Sequence, residues 1–418
     1  MYQRTVLPNG TRIITEYLPF LRSVTLGVWF EVGGRHEQAH EWGISHFIEH
    51  MMFKGTQKYS ARDIAELMDQ RGGYLNAFTG KEHTCYYFKV LDEHYHMASE
   101  LLKQMLLHSL FSPADVAKER NVVLEELNMY EDSPEELVQD LFFDLVWPHD
   151  MLGRSILGSA ATIGGFTREM IKGYLATHYT THRLVVASAG NIRHDQVVET
   201  FAEALSSLPK GSSPLMGKAD HGVGRQHFQD KDIEQVHLCL GGPAVCRHDA
   251  RRYALYLLDT IIGGGVSSLL FQELREERGL AYNTYSFNSL YHDVGSYGVY
   301  AGFGPQHWAQ VWDVLCRLFE GMPQLITPEM LERAKGQLKG SLMLSLDSTT
   351  NRMTRLAKGE LDQGRIVTPE EVMTQIEQVA YDDLMDLAQV VYSPQKWSWV
   401  ALGPRHLVKE DELCQKIC

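Results

Sequence analysis

Near the start of the chain, residues 11–16 and 24–32 alternate apolar and polar side chains and are rich in β-branched and aromatic residues. This pattern is typical of β-strands with one buried face, so we predict a strand at each. Similar stretches predict further strands at residues 74–78, 84–90 and 184–190. Helices are predicted between these strands at residues 43–56, 60–71, 112–130 and 167–178, and after the last strand at residues 195–208.

Local signals mark where several helices begin. Ser60 and Asp63 have the spacing of a capping box, in which each side chain bonds the backbone N–H of the other. Ser112 followed by Pro113 predicts another start, because a proline fits the first helical position. For the same reason, the sequence Thr-Pro-Glu predicts later helix starts at residues 327–329 and 368–370.

The second half of the chain repeats the first in outline. Residues 236–241 resemble residues 24–29 at an offset of 212, and residues 399–403 resemble residues 186–190 at an offset of 213. A nearly constant offset across most of a domain is what duplication leaves.

Length and a change of composition predict the domain boundaries. A chain of 418 residues is too long for one ordinary core, and it suggests two domains of about 200 residues each. Residues 209–224 are rich in glycine, serine and proline and lack apolar periodicity, which is typical of a linker. We therefore predict domains at 1–210 and 225–418, joined by a linker at 211–224.

Composition and charge narrow the classes of function. The net charge of −14 and the isoelectric point near 5.7 argue against a nucleic-acid partner. The six cysteines include no Cys-x-x-Cys pair, which fits reduced thiols. The chain shows neither an apolar leader segment nor a stretch of 18 apolar residues. We therefore expect a cytoplasmic protein that is not inserted in a membrane.

A short motif supplies the candidate chemistry. His46 and His50 are four residues apart, so on a helix both imidazoles project from one face and can reach a single metal ion. Glu49 lies on the same side, where its carboxylate can take a proton from a water whose pKa the metal lowers to about 7. The order His-x-x-Glu-His is the inverse of the commoner zinc-protease motif.

Two histidines call for a third ligand, because catalytic zinc usually has three protein ligands and one open position. Glu119 and Glu126 share one face of the predicted 112–130 helix and are candidates, whereas Glu125 is rotated by about 100° from Glu126. The same acids also fit the solvated face of an amphipathic helix. Spacing alone leaves both interpretations open.

Taken together, the histidine motif, the 119–126 segment, the duplicated halves and residues 275–282 resemble the pitrilysin/insulinase family of metallopeptidases over essentially the whole chain. Within it, the chain is most similar to short bacterial processing proteases that resemble the β subunit of mitochondrial processing peptidase. The resemblance implies an α+β fold of two homologous domains, each a mainly antiparallel sheet covered by helices. It also implies a zinc-dependent endopeptidase that cleaves peptides or unfolded polypeptides inside a clamshell chamber.

The resemblance also assigns roles to individual residues. The family's third zinc ligand lies about 76 residues after the second histidine, which corresponds to Glu126, so His46, His50 and Glu126 are implied to bind one Zn²⁺ per chain. Glu49 is the implied general base, and Glu119 is implied to orient a ligand. For the substrate, the implied contacts are an edge strand at Asn76, Ala77 and Phe78 and an oxyanion-stabilising pair, Arg275 and Tyr282.

The family's chamber contains four such domains, and this chain carries two. The resemblance therefore implies a homodimer in which Arg275 and Tyr282 of one protomer complete the zinc site of the other. A heterodimer with a separate partner and a non-catalytic structural relative are the alternatives. Non-catalytic relatives typically lose motif residues, and every motif residue is present here.

Overall fold

Two β-sheets organise the chain, and the computed structural model describes residues 2–211 and 217–408. In chain order the strands are β1 Tyr2–Val6, β2 Arg12–Tyr17, β3 Ser23–Phe30, β4 Tyr74–Thr79, β5 Thr84–Leu91, β6 Leu184–Gly190, β7 Gln226–Asp230, β8 Val236–Ala244, β9 Ala281–Leu290, β10 Gly295–Phe303 and β11 Ser398–Gly403. The five predicted strands correspond to β2 through β6, with ends that agree within two residues.

Helices connect the strands: α1 Ile44–Met52, α2 Ala61–Asp69, α3 Tyr95–His108, α4 Pro113–Glu131, α5 Pro134–Val146, α6 Ala160–Gly165, α7 Arg168–His178, α8 His194–Ala202, α9 Arg252–Gly263, α10 Trp308–Leu325, α11 Pro328–Ser345, α12 Thr349–Gln363, α13 Pro369–Gln378 and α14 Tyr381–Val391. The predicted capping box is present, because Asp63 N–H donates to Ser60 Oγ at 3.2 Å and Ser60 N–H donates to Asp63 Oδ2 at 2.8 Å. α4, α11 and α13 each begin at the proline that predicted them. Across residues 2–211 and 217–408, every helix is too short or too polar to span a bilayer.

The first sheet has the strand order β1-β2-β6-β3-β5-β4. β2 and β6 pair in parallel, and the other neighbours are antiparallel. Every residue of β6 is buried. Leu184 and Val186 pack into the core that includes α1, whereas Val185 and Ala187 pack on the opposite face. Because both faces are covered, β6 forms an apolar run instead of an alternating one.

The second sheet has the order β7-β11-β8-β10-β9, which repeats the β2-β6-β3-β5-β4 part of the first sheet. The β7–β11 pair is parallel, as β2–β6 is, and the remaining pairs are antiparallel. Leu26 pairs with Ser188 in the first sheet, and Leu238 pairs with Ala401 in the second, so the offsets of 212 and 213 preserve the register. The predicted α+β fold with two homologous, mainly antiparallel sheets is confirmed.

The two compact units of the chain do not follow its two halves. The first combines Met1–Met129, Ser155–Gly217 and Leu344–Val367, and the second combines Tyr130–Arg154, Lys218–Met343 and Thr368–Cys418. Each unit thus takes one helix from the other half of the sequence: α12 belongs to the first unit and α5 to the second. The predicted boundaries at 1–210 and 225–418 separate the two sheets but not these helices. Residues 212–216 of the predicted linker lie outside the described residues.

Buried contacts hold α12, which comes from the second half of the sequence, in the first unit. Trp29 Nε1 donates to Met353 Sδ at 3.1 Å, and Met353 is fully buried. Glu360 is also fully buried and accepts two hydrogen bonds from Arg4, each 2.8 Å long. A buried carboxylate needs such a charged partner to offset its lost hydration. The first sheet therefore has a helix on the face opposite α1.

Candidate metal centre

α1 carries the histidine motif, and its first turn is held from outside the helix. Gly43 precedes α1 with a φ of +93°, a conformation that favours glycine. Glu37 is buried, and its carboxylate accepts hydrogen bonds from the N–H groups of Gly43 and Ser45, both at 2.8 Å. Burial raises the pKa of Glu37 to about 7, and the two backbone N–H groups oppose that rise. These bonds satisfy backbone groups at the helix start and so fix the orientation of α1.

The two motif histidines lie together beside a carboxylate from α4. The ring centroids of His46 and His50 are 4.6 Å apart. His46 Nε2 lies 3.8 Å from Glu126 Oε1, and His50 Nε2 lies 3.4 Å from Glu126 Oε2. Among the described residues, these three side chains form the one group of potential metal ligands, with ligand atoms all within 4.8 Å of one another.

This donor set fits a divalent metal ion. Glu126 Oε2 is buried without a hydrogen-bond partner in the described residues, and coordination to a metal ion would satisfy this oxygen instead. Burial, and then the neighbouring His50, lower the pKa of His46 to about 4, so its imidazole is neutral, the form that binds metal. Two imidazoles and one carboxylate are a known ligand set of catalytic zinc sites. The exposed neighbour Glu125 is not part of the group.

Glu119 lies behind the histidines and links one of them to a lysine. His50 Nδ1 and Glu119 Oε1 are 2.9 Å apart, and Lys54 Nζ is 2.7 Å from Glu119 Oε2. Burial favours a raised pKa for Glu119, but the hydrogen bonds from His50 and Lys54 outweigh it and lower the pKa. The carboxylate is therefore ionised, and it can fix the ring of His50 with Nε2 turned toward Glu126.

Glu49 points from α1 toward the edge strand of the first sheet. Thr79 Oγ1, on β4, donates a hydrogen bond to Glu49 Oε2 at 2.5 Å. Burial raises the pKa of Glu49, and the Thr79 hydrogen bond opposes the rise. Glu49 is thus a half-buried carboxylate next to the ligand group but outside it.

β4 is an edge strand among the described strands. From the hydrogen-bond pattern of the β4–β5 hairpin, the main-chain N–H and C=O groups of Leu75, Ala77 and Thr79 face away from β5. At this open edge, Ala77 N–H donates to Asn76 Oδ1 at 2.8 Å. The side chain of Asn76 therefore covers an edge N–H that a further strand could use.

The side chains of β4 alternate between the two faces of the sheet. Ala77 packs into the core on the α1 side. The half-buried Phe78 points to the opposite face, where its ring meets Trp29 edge-on with centroids 5.2 Å apart. Asn76 is exposed, and its Nδ2 donates to the hydroxyl of Tyr74 at 2.6 Å. Of the three predicted substrate residues, Ala77 thus presents its main chain at the open edge, and Asn76 presents its side chain there.

Arg275 and Tyr282 lie in the second unit and contact each other. Arg275 is on a π-helical turn, Phe271–Glu276, and its Nη1 donates to the backbone oxygen of Tyr282 at 3.0 Å. The guanidinium carbon lies 4.6 Å from the centroid of the Tyr282 ring, a distance typical of cation–π contacts. The Tyr282 side chain is 76% exposed. The pair is thus held together and open to a ligand.

Comparison with known proteins places the chain in a family. A model described as insulinase, peptidase family M16, matches residues 12–160, and one described as the peptidase M16 inactive domain matches residues 165–338. The chain belongs to peptidase family M16. It is 40% identical to the uncharacterized zinc protease YmxG of Bacillus subtilis, over 94% of this chain and 96% of that protein. It is also 41% identical to an uncharacterized zinc protease of Streptomyces coelicolor, over 96% of this chain and 89% of that protein.

Solved structures share the M16 fold of this chain. A protease from Helicobacter pylori, 22% identical, matches with a TM-score of 0.88 over 97% of this chain and 99% of its own. A Pseudomonas fluorescens structure described as a peptidase M16 inactive domain, 19% identical, also gives a TM-score of 0.88 and covers 97% of this chain and 98% of its own. The resemblance drawn from the sequence motifs is therefore confirmed at the level of family and fold.

Three residues that contact the side chains or the helix of this M16 site were not predicted from the sequence. Lys54 follows His50 by four residues, so its place on the same face could have been found from helical spacing. Thr79 belongs to the edge-strand segment, but nothing in the sequence shows that its hydroxyl reaches Glu49. Glu37 gives no signal at all, because its bonds to the start of α1 depend on how the preceding loop folds.

Proposed function

We propose that this M16 chain is a zinc-dependent endopeptidase acting on peptides or unstructured polypeptides. The observation that carries the proposal is the grouping of His46, His50 and Glu126 around one point, with Glu49 beside them. The curated relatives named as zinc proteases support the same chemistry.

His46, His50 and Glu126 would hold one Zn²⁺, with Glu119 keeping the His50 ring in place. Zinc at such a site supplies a Lewis acid that polarises a carbonyl and lowers the pKa of water to about 7. Glu49 takes a proton from the attacking water and passes it to the leaving amine. We assign Tyr282, with Arg275 packed against it, to stabilise the oxyanion.

The open edge of β4 offers a way to bind the substrate. A peptide in extended conformation can pair with the main chain of Ala77 and replace the Asn76 side chain at its N–H group. Strand addition uses main-chain bonds, so it tolerates many sequences but requires an extended chain. Unfolded polypeptides and peptides are therefore the expected substrates, and folded proteins are not.

The experiment that tests this function is cleavage of a mixed set of unstructured peptides by the full chain, with zinc removed and restored. We expect the zinc-loaded protein to cleave, because its ligands and base are in place. The chelated protein should lose activity, and one equivalent of Zn²⁺ per chain should restore it. Mass spectrometry of the products gives the cut sites. Undiminished cleavage by metal-free protein would refute the proposal.

We further propose a homodimer in which Arg275 and Tyr282 of one chain act at the zinc site of the other. The proposal rests on the family resemblance and on the exposed, preassembled pair. Mixing two inactive variants, Glu49→Gln and Tyr282→Phe, tests it, because one of the two sites in each mixed dimer is then intact. We expect recovery of about one quarter of wild-type activity for random pairing in a two-fold dimer. A strictly monomeric fraction with full activity would contradict it, and a co-purifying partner of similar size would indicate a heterodimer.

A further inference from the structure

Thr79 joins two features of the site that otherwise lie on separate elements. It is the last residue of β4, and its main chain faces the open edge where a peptide would pair. Its side chain points to the α1 side of the sheet, and the hydroxyl donates to Glu49 Oε2 at 2.5 Å. One residue thus contacts the proposed base and also lies on the strand with which a peptide would pair.

The hydrogen bond from Thr79 fixes how the Glu49 carboxylate is turned. Oε2 is engaged with the Thr79 hydroxyl, and no hydrogen bond from the described residues reaches Oε1. A glutamate has several rotatable bonds, and holding it in one rotamer has an entropic cost that a charge-assisted hydrogen bond offsets. Thr79 is itself 9% exposed and β-branched, so its own χ1 is restricted. The donor is therefore well placed to hold Oε1 available for the water.

We propose that Thr79 is a positioning residue that orients Glu49 and ties it to the strand on which the peptide pairs. The inference rests on the proposed endopeptidase function. A peptide paired along β4 bonds the main chain of Thr79 and so holds the residue whose hydroxyl sets the base. Thr79 needs no contact with the scissile bond to act in this way.

The test compares Thr79→Val with Thr79→Ser in the full zinc-loaded chain. Valine keeps the shape and main chain of threonine but lacks the hydroxyl, so we expect kcat to fall about 10–100-fold, as for loss of a hydrogen bond to a charged group. KM should change less than about threefold, because the edge main chain is intact. Serine restores the donor and should recover kcat to within about threefold of wild type.

Thr84→Val is the matched control. Thr84 is the cross-strand partner of Thr79, but its hydroxyl donates to the backbone oxygen of Val32 at 2.9 Å and not to Glu49. Loss of the Thr84 hydroxyl should lower the unfolding temperature without lowering kcat. Two further readouts do not depend on turnover: zinc content, and the affinity for an uncleaved peptide measured in the Glu49→Gln background. Both should be the same with and without the Thr79→Val substitution.

The outcomes separate this inference from the function on which it rests. If wild type cleaves and Thr79→Val has wild-type kcat, the positioning role is wrong and the endopeptidase stands. If Thr79→Ser is as impaired as Thr79→Val, or if Thr79→Val loses zinc, Thr79 has only a structural role. In the Glu49→Gln background, Thr79→Val should not lower kcat further. Additive losses of kcat would overturn the proposal that Thr79 acts by orienting Glu49. A wild-type chain that cleaves no peptide would overturn both proposals.

Discussion

The Glu49→Gln variant is expected to keep its zinc and to lose kcat by about 10²–10⁴-fold, the usual contribution of a general base. Glutamine has nearly the same size as glutamate, and its amide oxygen can still accept the hydrogen bond from Thr79. It cannot take a proton from water. Because Glu49 lies outside the group of three potential ligands, the metal should remain bound. Turnover of a peptide and zinc content, measured on the same sample, check the prediction.

A matched neutralisation elsewhere in the first unit controls for general effects of charge. Glu66 lies on α2, is exposed and pairs with Arg62, so Glu66→Gln should leave both kcat and zinc content at wild-type values. Burial raises the pKa of Glu49, so replacing it by a neutral residue should not reduce the unfolding temperature. A zinc-loaded Glu49→Gln variant with more than one tenth of wild-type kcat would exclude Glu49 as the base.

Most elements of the first half could be predicted, because their signals are local. The capping box at Ser60 and the proline at position 113 act within one helical turn, and they set the starts of α2 and α4 as predicted. The exchange of α5 and α12 could not be predicted. In α12, Met353, Leu356 and Ala357 have helical spacing and show that one face is buried. Periodicity does not say which sheet covers that face, and here it is the sheet of the other half.

The part of the site on one helix could likewise be predicted from local sequence, whereas the part that depends on packing between helices could not. His46, Glu49 and His50 lie within two turns of one helix, so helical geometry alone places them together. Glu119 and Glu126 share a face of α4, so helical spacing alone could not separate their roles, and only the family resemblance implied which is the ligand. Their different positions depend on how α4 docks against α1, which brings Glu119 to Nδ1 of His50 and Glu126 to Nε2 of the same ring.

Replacing Glu126 by Gln is expected to weaken zinc binding more than about 100-fold. The amide oxygen is neutral and a poorer ligand than a carboxylate, and loss of a direct ligand should exceed the 10–100-fold cost typical of losing an outer partner. Glu119→Gln should weaken zinc binding within that 10–100-fold range, because Glu119 contacts His50 but lies outside the group of three potential ligands. Competition with a chromophoric chelator measures all three affinities, including that of wild type.

Glu125→Gln supplies the control on the same helix, since Glu125 carries the same charge one residue from Glu126 but is exposed and outside the ligand group. It should bind zinc like wild type. Long-range electrostatics would weaken zinc binding by similar amounts in Glu125→Gln and Glu126→Gln, because both changes remove one negative charge from α4. If Glu126 binds the metal directly, zinc affinity should fall strongly in Glu126→Gln, less in Glu119→Gln and not at all in Glu125→Gln. Tight zinc binding by Glu126→Gln, or a loss in Glu125→Gln, would contradict the ligand assignment.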